Sequence, residues 1–276
     1  MKVAFQGSRG AYSEEAIYRY FGEDVTPVGF ELSEQVFEAV VQQEVATGLV
    51  PVENSIVGNV NVNLELFNTL PVFAFAEVYH PIKHCLLSHK GARLDEIEKV
   101  HSHPIALAQC RDYLNRHNIQ SIPDFDTAGS CKLLKDRSHF NEGTIASRLC
   151  AEFYDLDIID DDIQKVQNNI TRFLVFTRED EVPSAISQEK TSLSFSTKHH
   201  PGALLNCLQT FKNFDLNLTK LESRPIPENP FEYYFFVDLL AGINDPNTQQ
   251  CLKVLDKDAS KIKVLGSYPK GEIALL

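Results

Sequence analysis

The stretch Asn168-Asn169-Ile170-Thr171-Arg172-Phe173-Leu174-Val175-Phe176-Thr177 places polar side chains directly before an apolar run. A run rich in β-branched and aromatic residues, free of glycine and proline, predicts a strand over 171–177. Upstream of it, residues 3–5 and 48–52 also form short apolar runs, and amphipathic segments of helical period lie between them. This alternation of strands and helices predicts a layered α/β domain over residues 1–178, built as two lobes with a cleft between them.

The sequence changes character after this stretch. Residues 179–190 are polar and without period, which predicts a linker. Residues 191–276 then give strand and helix patterns in the order β-α-β-β-α-β, the pattern of an α+β ferredoxin-like domain. We therefore expect two domains, 1–178 and 191–276, joined by that linker.

Composition narrows the classes of function. The chain has 276 residues, of which 43% are hydrophobic, and a net charge of −12. Binding to nucleic acid or to an anionic membrane needs clustered Lys and Arg, so neither partner is expected. The six cysteines are scattered, and no signal-peptide pattern or long apolar run is present. Free thiols and a cytoplasmic location are the expectations.

Polar side chains follow several predicted strands. Glu53 and Asn54 end one strand, Ser102 ends another, and Gln109 lies in the helix that follows Ser102. Ligand crevices in open α/β sheets lie at the carboxyl ends of strands, so these groups are candidate site residues. Arg172 could bind a carboxylate through its guanidinium, although a structural salt bridge is an equally good interpretation. His101 and His103 lack a third ligand of suitable spacing, so no metal site is predicted.

The second domain offers a candidate binding site for a zwitterion. Gly202, Ala203 and Leu204 open a predicted helix, and Gly202 allows a ligand to approach closely. Glu222 and Arg224 lie two apart at the end of a predicted strand and offer opposite charges, which suits an amino acid. A structural salt bridge between them is the alternative.

Taken together and in order, these stretches resemble the prephenate dehydratase family. The matching segments are GSRGAYSEEA (7–16), GLVPVENSIVGNV (48–60), VHSHPIALAQC (100–110), DTAGSC (126–131), NNITRFLVF (168–176), PGALL (201–205) and ESRP (222–225). They cover nearly the whole chain, and the Thr-Arg-Phe and ESRP segments are the most specific. The chain resembles the monofunctional form, without a chorismate mutase segment.

The resemblance implies a two-lobed catalytic domain of the type II periplasmic-binding-protein kind and a C-terminal ACT domain. It implies decarboxylating dehydration of prephenate to phenylpyruvate in the cytoplasm, without metal or cofactor, and feedback inhibition by L-phenylalanine. It also implies a homo-oligomer, a dimer or a tetramer. An exposed sheet edge, with Phe231, Tyr233 and Phe235 alternating with Tyr234 and Phe236, favours such pairing because aromatic surface on both faces needs cover.

The resemblance also assigns residues. Thr171, Arg172 and Phe173 match the family's catalytic motif, and the substrate-binding positions are matched by Asn54, Ser102, Gln109, Glu53 and Thr127. The inhibitor-binding positions are matched by Gly202, Ala203, Leu204, Glu222, Ser223 and Arg224. Two alternatives stay open at this point: an arogenate dehydratase with the same chemistry, and a non-catalytic sensor of amino acids or other solutes.

Overall fold

The computed structural model describes residues 1–136, 140–198, 200–226 and 229–273, and of residues 230 and 231 the backbone alone. The first lobe begins with alternating strands and helices, as its apolar periodicity predicts. Its elements are β1 (Lys2–Gln6), α1 (Tyr12–Phe21), β2 (Thr26–Phe30), α2 (Ser33–Val41), β3 (Thr47–Asn54), β4 (Gly58–Asn59), α3 (Asn61–Thr69) and β5 (Val72–Pro81).

The second lobe is inserted between β5 and the strand that carries the Thr-Arg-Phe triplet. Its elements are β6 (Cys85–Ser88), β7 (Lys99–Ser102), α4 (Pro104–Gln109), α5 (Arg111–Arg116), β8 (Gln120–Pro123), α6 (Thr127–Lys135), β9 (Glu142–Ala146), α7 (Arg148–Tyr154) and β10 (Asp157–Asp160). The chain then returns to the first lobe through β11 (Ile170–Arg178). Residues 82–84 and 161–169 are thus the two segments that cross between the lobes.

The C-terminal part has the predicted order β-α-β-β-α-β. Its elements are β12 (Lys190–Thr197), α8 (Ala203–Asn213), β13 (Leu218–Ile226), β14 (Asn229–Leu239), α9 (Pro246–Leu255) and β15 (Ala259–Tyr268). The strands pair in the order β13-β14-β12-β15, antiparallel, which is the ferredoxin-like arrangement. The prediction of a ferredoxin-like fold for this part is confirmed. The preceding residues Glu179–Glu181 form a single helical turn, and Val182 and Ile186 pack against a hydrophobic core that contains residues of both lobes.

Among the described residues, two sheets account for the strands. Ten strands form one sheet that runs from the C-terminal part into the first lobe, because β15 pairs with β5 at Gly266 and Ala74. A side chain at Gly266 would lie 2.4 Å from the Ala74 carbonyl oxygen, so this close approach requires glycine. The other sheet, β10-β6-β9-β7-β8, belongs to the second lobe. The cleft lies between the two sheets, which confirms the prediction of two α/β lobes.

Most sequence-predicted elements are present, with three differences. The sequence pattern of residues 145–154 favours a helix throughout, but Ile145 and Ala146 belong to β9 and the helix begins at Arg148. Ser13 is a residue type that often caps helices, but α1 begins one residue earlier, and Ser13 is buried in its first turn. Strands β2, β8 and β10 were not predicted, since each is short and half-exposed and so lacks a continuous apolar run. No helix of the described part is long and apolar enough to span a membrane.

Candidate active site

The position of Thr171 in the sheet brings its side chain to the junction of the two lobes. It stands near the start of β11, paired with Asn54 on β3 and with His80 on β5. Residues paired across neighbouring strands project to the same face, so these three side chains lie side by side. They lie beside the crossing segments 82–84 and 161–169, where the first lobe meets the second.

Asn54 fixes the direction of the Thr171 hydroxyl. The Asn54 side-chain oxygen accepts hydrogen bonds from the backbone N–H groups of Ile56 and Val57, each at 3.0 Å. Its amide nitrogen donates to Thr171 Oγ1 at 2.9 Å and to Asn169 Oδ1 at 2.7 Å. Thr171 Oγ1 is therefore an acceptor within the protein. No group in the described ranges accepts its proton, so the hydroxyl is free to donate to a ligand.

Gln109 is oriented in the same way from the second lobe. Its side-chain oxygen accepts from His84 Nε2 at 2.7 Å and from Asn169 Nδ2 at 3.2 Å. His84 Nδ1 lies 2.7 Å from the Tyr12 hydroxyl. With its oxygen occupied by two donors, Gln109 keeps its amide N–H groups available for a ligand.

The protonation of the neighbours supports this assignment. His84 is 2% exposed, and burial lowers its pKa although the hydrogen bond to Gln109 opposes the shift. A neutral His84 carries its proton on Nε2, because the Gln109 oxygen beside that nitrogen can only accept. Nδ1 is then an acceptor, and the Tyr12 hydroxyl lies within reach of both Nδ1 and the Lys83 carbonyl oxygen. Burial raises the pKa of the Tyr12 phenol well above its ordinary value, so Tyr12 remains a donor. A string of neutral groups thus joins both lobes through the crossing segments: Thr171, Asn54, Asn169, Gln109, His84 and Tyr12.

The position of Arg172 decides between its two sequence-based interpretations, binding of a carboxylate and a structural salt bridge. Side chains alternate along a strand, so Arg172 points to the face opposite Thr171. Its side chain is 5% exposed and its Nε donates to Glu77 at 2.7 Å, while its terminal nitrogens donate to Asp238 and Tyr268. Burial alone would lower the pKa of Arg172, but Tyr268, Asp238 and Glu77 raise it. The structural salt bridge is therefore the correct alternative, and Arg172 does not reach a carboxylate in the cleft.

The side chains of two other predicted substrate-binding residues have partners within the chain, and their contacts with substrate stay predictions. Glu53 shares the face of Arg172, and its carboxylate lies 3.0 Å from Lys220 Nζ of β13 rather than in the cleft. Ser102 is fully buried, and its hydroxyl donates to the Ile145 carbonyl oxygen at 2.6 Å. Phe173 shares the face of Thr171 but packs in the core beneath it. It supports the site without presenting a reacting group.

Thr127 lies at a second place where the two lobes meet, close to the loop that follows β1. It is the first residue of α6, and the capping residue Asp126 accepts from the N–H groups of Ala128 and Gly129. Asp126 also accepts from Ser8 N at 3.3 Å, which brings the glycine loop after β1 to the start of α6. The predicted substrate-binding role of Thr127 is compatible with this position.

Four polar residues of the site escaped sequence analysis: Tyr12, His80, His84 and Asn169. His80 Nε2 lies 2.9 Å from Glu15, and its Nδ1 is buried without a partner in the described part of the chain. Asn169 and His84 lie in the two crossing segments, and their spacing in sequence gave no sign that both would contact Gln109. Polar residues clustered within the crossing segments were the available signal. The described residues contain no group of three or more metal-ligating side chains.

The candidate inhibitor residues lie in the C-terminal part. Gly202 caps α8 in the left-handed conformation, Ala203 is buried and Leu204 packs partly into the core. On edge strand β13, Glu222 and Arg224 share one face and Ser223 projects from the other. Arg224 forms an ion pair with Glu65 of α3 at 3.0 Å. Its partner is therefore not Glu222, the neighbouring charge that the sequence suggests.

This geometry defines a two-lobed α/β protein whose cleft presents neutral hydrogen-bond donors, with a ferredoxin-like part attached to the same sheet. The comparisons agree with it. A family model described as prephenate dehydratase matches residues 3–181. The chain is 36% identical over 278 residues to arogenate dehydratase/prephenate dehydratase 2, chloroplastic, of Arabidopsis thaliana, covering 98% of this chain and 73% of that one.

A bacterial relative and a solved structure extend the match. The bifunctional chorismate mutase/prephenate dehydratase of Aquifex aeolicus is 37% identical over 273 residues, covering 98% of this chain and 74% of that one. The crystal structure of the Arthrobacter aurescens prephenate dehydratase in complex with L-Phe superposes with a TM-score of 0.89 at 28% identity, covering 98% and 90%. The chain belongs to the prephenate dehydratase family.

Proposed function

We propose that this chain catalyses the decarboxylating dehydration of prephenate to phenylpyruvate, a step toward L-phenylalanine. The observation that carries the proposal is the direction of the Thr171 hydroxyl: Asn54 occupies its oxygen, and its proton is left for the cleft. Membership of the family supplies the reaction class. No metal or organic cofactor is expected, because the products are aromatic and the reaction needs no redox partner.

The chemistry requires two bonds to break together. The bond between the ring and its carboxylate breaks to release CO2, and its electron pair completes the aromatic ring. The ring C–O bond breaks with its electron pair on oxygen, and the departing hydroxide becomes water by taking one proton from solvent. Thr171 donates a hydrogen bond to the departing hydroxyl, which stabilises the charge that develops on that oxygen. The Gln109 amide, held by His84 and Asn169, is placed to hold the substrate in one orientation.

Neutral donors suit this substrate. With Arg172 turned to the opposite face, the polar string at the junction of the lobes consists of hydroxyl, amide and neutral imidazole groups. A poorly solvated ring carboxylate loses CO2 more readily than one held by a cation or by water. Thr171 is a very weak acid, so we assign it a hydrogen-bonding role rather than complete proton donation.

We further propose that residues 191–276 form an ACT domain that binds L-phenylalanine as inhibitor near Gly202, Ala203, Leu204, Glu222, Ser223 and Arg224. The ferredoxin-like strand order supports this proposal, and so does the L-Phe in the Arthrobacter complex. The type II periplasmic-binding-protein description of the two lobes, the domain boundaries at 178 and 191, the monofunctional form and the cytoplasmic location also stay predictions.

A homodimer or homotetramer stays a prediction as well, although its original reason is weaker. Phe235 packs into the core beneath α8 and α9, and Phe236 and Tyr234 pack against the hydrophobic core that contains α2 and α3 of the first lobe. These aromatic residues are covered within the chain, whereas Tyr233 stays exposed. The side chain of Phe231 lies outside the described residues.

The test is an assay of the purified chain on prephenate and on arogenate, separately and in competition, with phenylpyruvate and phenylalanine measured by chromatography. We expect phenylpyruvate and a higher kcat/KM for prephenate. A higher value for arogenate would identify an arogenate dehydratase, and no turnover of either substrate would reject the proposal. Heat-inactivated protein controls for the spontaneous reaction of prephenate.

A further inference from the structure

A cluster of buried charges lies behind the catalytic strand, between the first lobe and the C-terminal part. Its members come from five strands of the ten-stranded sheet. They are Glu77 (β5), Arg172 (β11), Lys190 and Ser192 (β12), Asp238 (β14) and Tyr268 (β15). Arg172 is adjacent in sequence to Thr171, so the cluster contacts the far side of the strand that presents the proposed hydrogen-bond donor.

The contacts within this cluster leave little freedom to Arg172. Glu77 accepts from Arg172 Nε at 2.7 Å and from Lys190 Nζ at 2.8 Å, and its other oxygen accepts from Gly271 N at 2.9 Å. Asp238 accepts from Arg172 and from Ser192, while Tyr268 lies 2.8 Å from the remaining guanidinium nitrogen. Four of the partners of Arg172 and Glu77 thus come from the C-terminal part: Lys190, Asp238, Tyr268 and Gly271.

Burial and charge balance distinguish this cluster from a surface ion pair. The side chains of Arg172, Lys190 and Asp238 are each 5% exposed and that of Glu77 is 0% exposed. Two cations and two anions cancel. Such a group of charges adds little to stability compared with apolar residues of the same volume, because removing each charge from water is costly. Its geometry, however, is narrowly defined, since each charge needs its partners at hydrogen-bond distance.

A second contact holds the neighbouring strand in the same way. Lys220 of β13 donates to Glu53 at 3.0 Å and also contacts Asn59. Glu53 is adjacent to Asn54, which orients Thr171, and lies 3.6 Å from Arg172. The C-terminal part therefore contacts β3 at Glu53 and β11 at Arg172. These two residues are adjacent in sequence to Asn54 and Thr171, which are joined by the hydrogen bond at the cleft.

We propose that Asp238, a residue of the C-terminal part, is a positioning residue for the reaction: through Arg172 it sets the place of Thr171 in the cleft. This inference rests on the proposed function and adds a residue to it. Asp238 contacts no group in the cleft and acts only through the guanidinium. Movement of the C-terminal sheet is thereby connected to the one hydroxyl on which the reaction depends.

The first experiment measures Asp238→Asn in the full chain. We expect kcat on prephenate to fall about tenfold or more, because small displacements of a reacting group lower rate strongly, with KM within about threefold. Asp258→Asn is the matched control, since Asp258 contacts Asn206 and His200 within the C-terminal part alone. An equal loss of kcat in both variants would overturn the inference.

A second variant separates positioning from folding. Asp238→Asn leaves one unbalanced buried cation, and Lys190→Met restores neutrality in the double variant. We expect the double variant to regain the unfolding midpoint but not kcat, because Arg172 keeps Glu77 but still lacks the Asp238 carboxylate. Recovery of kcat together with stability would overturn the inference, since the cluster would then be structural only.

Hydrogen exchange supplies a readout that needs no substrate. We expect the amides of Thr171 and Phe173 to exchange faster in Asp238→Asn than in wild type, and unchanged in Asp258→Asn. Unaltered exchange in Asp238→Asn would contradict the proposed coupling. If the wild-type chain does not convert prephenate, the proposed function fails, and the exchange result still decides whether Asp238 holds β11.

Discussion

The hydroxyl of Thr171 is directed by one amide. Asn54 donates to its oxygen, and two backbone N–H groups in turn hold the oxygen of Asn54. A side chain oriented by such a chain of contacts loses little freedom when a substrate binds, which is the condition for effective hydrogen bonding in a transition state.

Replacing Thr171 by Val keeps the shape of the side chain and removes the hydroxyl. We expect kcat on prephenate to fall by about 100-fold or more, as for loss of one preorganised donor, and Thr171→Ser to retain much of the activity. Thr177→Val is the control, because Thr177 lies on the same strand and its hydroxyl donates to Ala46 outside the cleft. A Thr171→Val variant with wild-type kcat would remove this hydroxyl from the mechanism.

The lowered pKa of buried His84 predicts that the stability of the chain depends on pH. Burial lowers its pKa in the folded chain, so below about pH 6.5 the unfolded chain binds a proton that the folded chain does not. The free energy of unfolding should therefore decrease as pH falls below 6.5, by at most about 1.4 kcal/mol per pH unit for this group. Urea unfolding of wild type and His84→Gln at pH 7.5 and pH 5.5 measures the difference. Equal losses in both proteins would contradict the assignment.

At the scale of elements, strand β11 shows what sequence could and could not predict. Its apolar run identified the strand, and the family resemblance assigned the catalytic motif to its Thr-Arg-Phe triplet, an assignment that stays a prediction. Which alternate side chains face the cleft was not predictable, because both faces of this central strand are buried and carry no polar–apolar alternation. A register shift between Arg172 and Phe173 in the pairing with β3 adds to the difficulty. The sequence therefore left both interpretations of Arg172 open, as a ligand for a carboxylate or as a partner in a salt bridge, and gave no sign that Glu53 of β3 contacts the C-terminal part.

Helix α6 offers a test at the same scale. Asp126 caps its first turn and also receives the Ser8 N–H from the opposite lobe. Asp126→Ala should lower the free energy of unfolding by about 1 kcal/mol, the usual cost of a lost helix cap. Asp124→Ala, which removes a carboxylate two residues earlier that does not cap a helix, should change it by less than about 0.5 kcal/mol. Equal effects would show that the cap contributes nothing, and urea unfolding measures both.

At the scale of the whole molecule, sequence predicted two parts but not how they join. Periodicity identifies strands, yet the partner of a strand depends on contacts between distant segments. The pairing of β15 with β5 and the charge cluster behind β11 are both of this kind. From sequence, Lys190 falls at the end of the predicted linker and Asp238 within a predicted strand, and neither position indicates that both residues complete the environment of Arg172.

The proposed inhibition by L-phenylalanine involves the whole molecule, because it connects a site in the C-terminal part with the cleft between the lobes. We expect L-phenylalanine to slow the enzyme and Arg224→Ala to need about tenfold more of it, as for loss of one charge-assisted contact. Glu65→Gln breaks the Arg224–Glu65 ion pair without removing the arginine, and partly exposed pairs of this kind contribute about 0–1 kcal/mol. Inhibition curves decide: full inhibition of Arg224→Ala, or equal relief in Glu65→Gln, would exclude ligand contact by Arg224.

The pairing of β15 with β5 also bears on synthesis. Because Gly266 of β15 follows its pairing partner Ala74 of β5 by 192 residues (266 − 74), the adjoining edge of β5 stays without this partner while the intervening chain is synthesised. The nascent chain therefore exposes an open β-edge until β15 has been made.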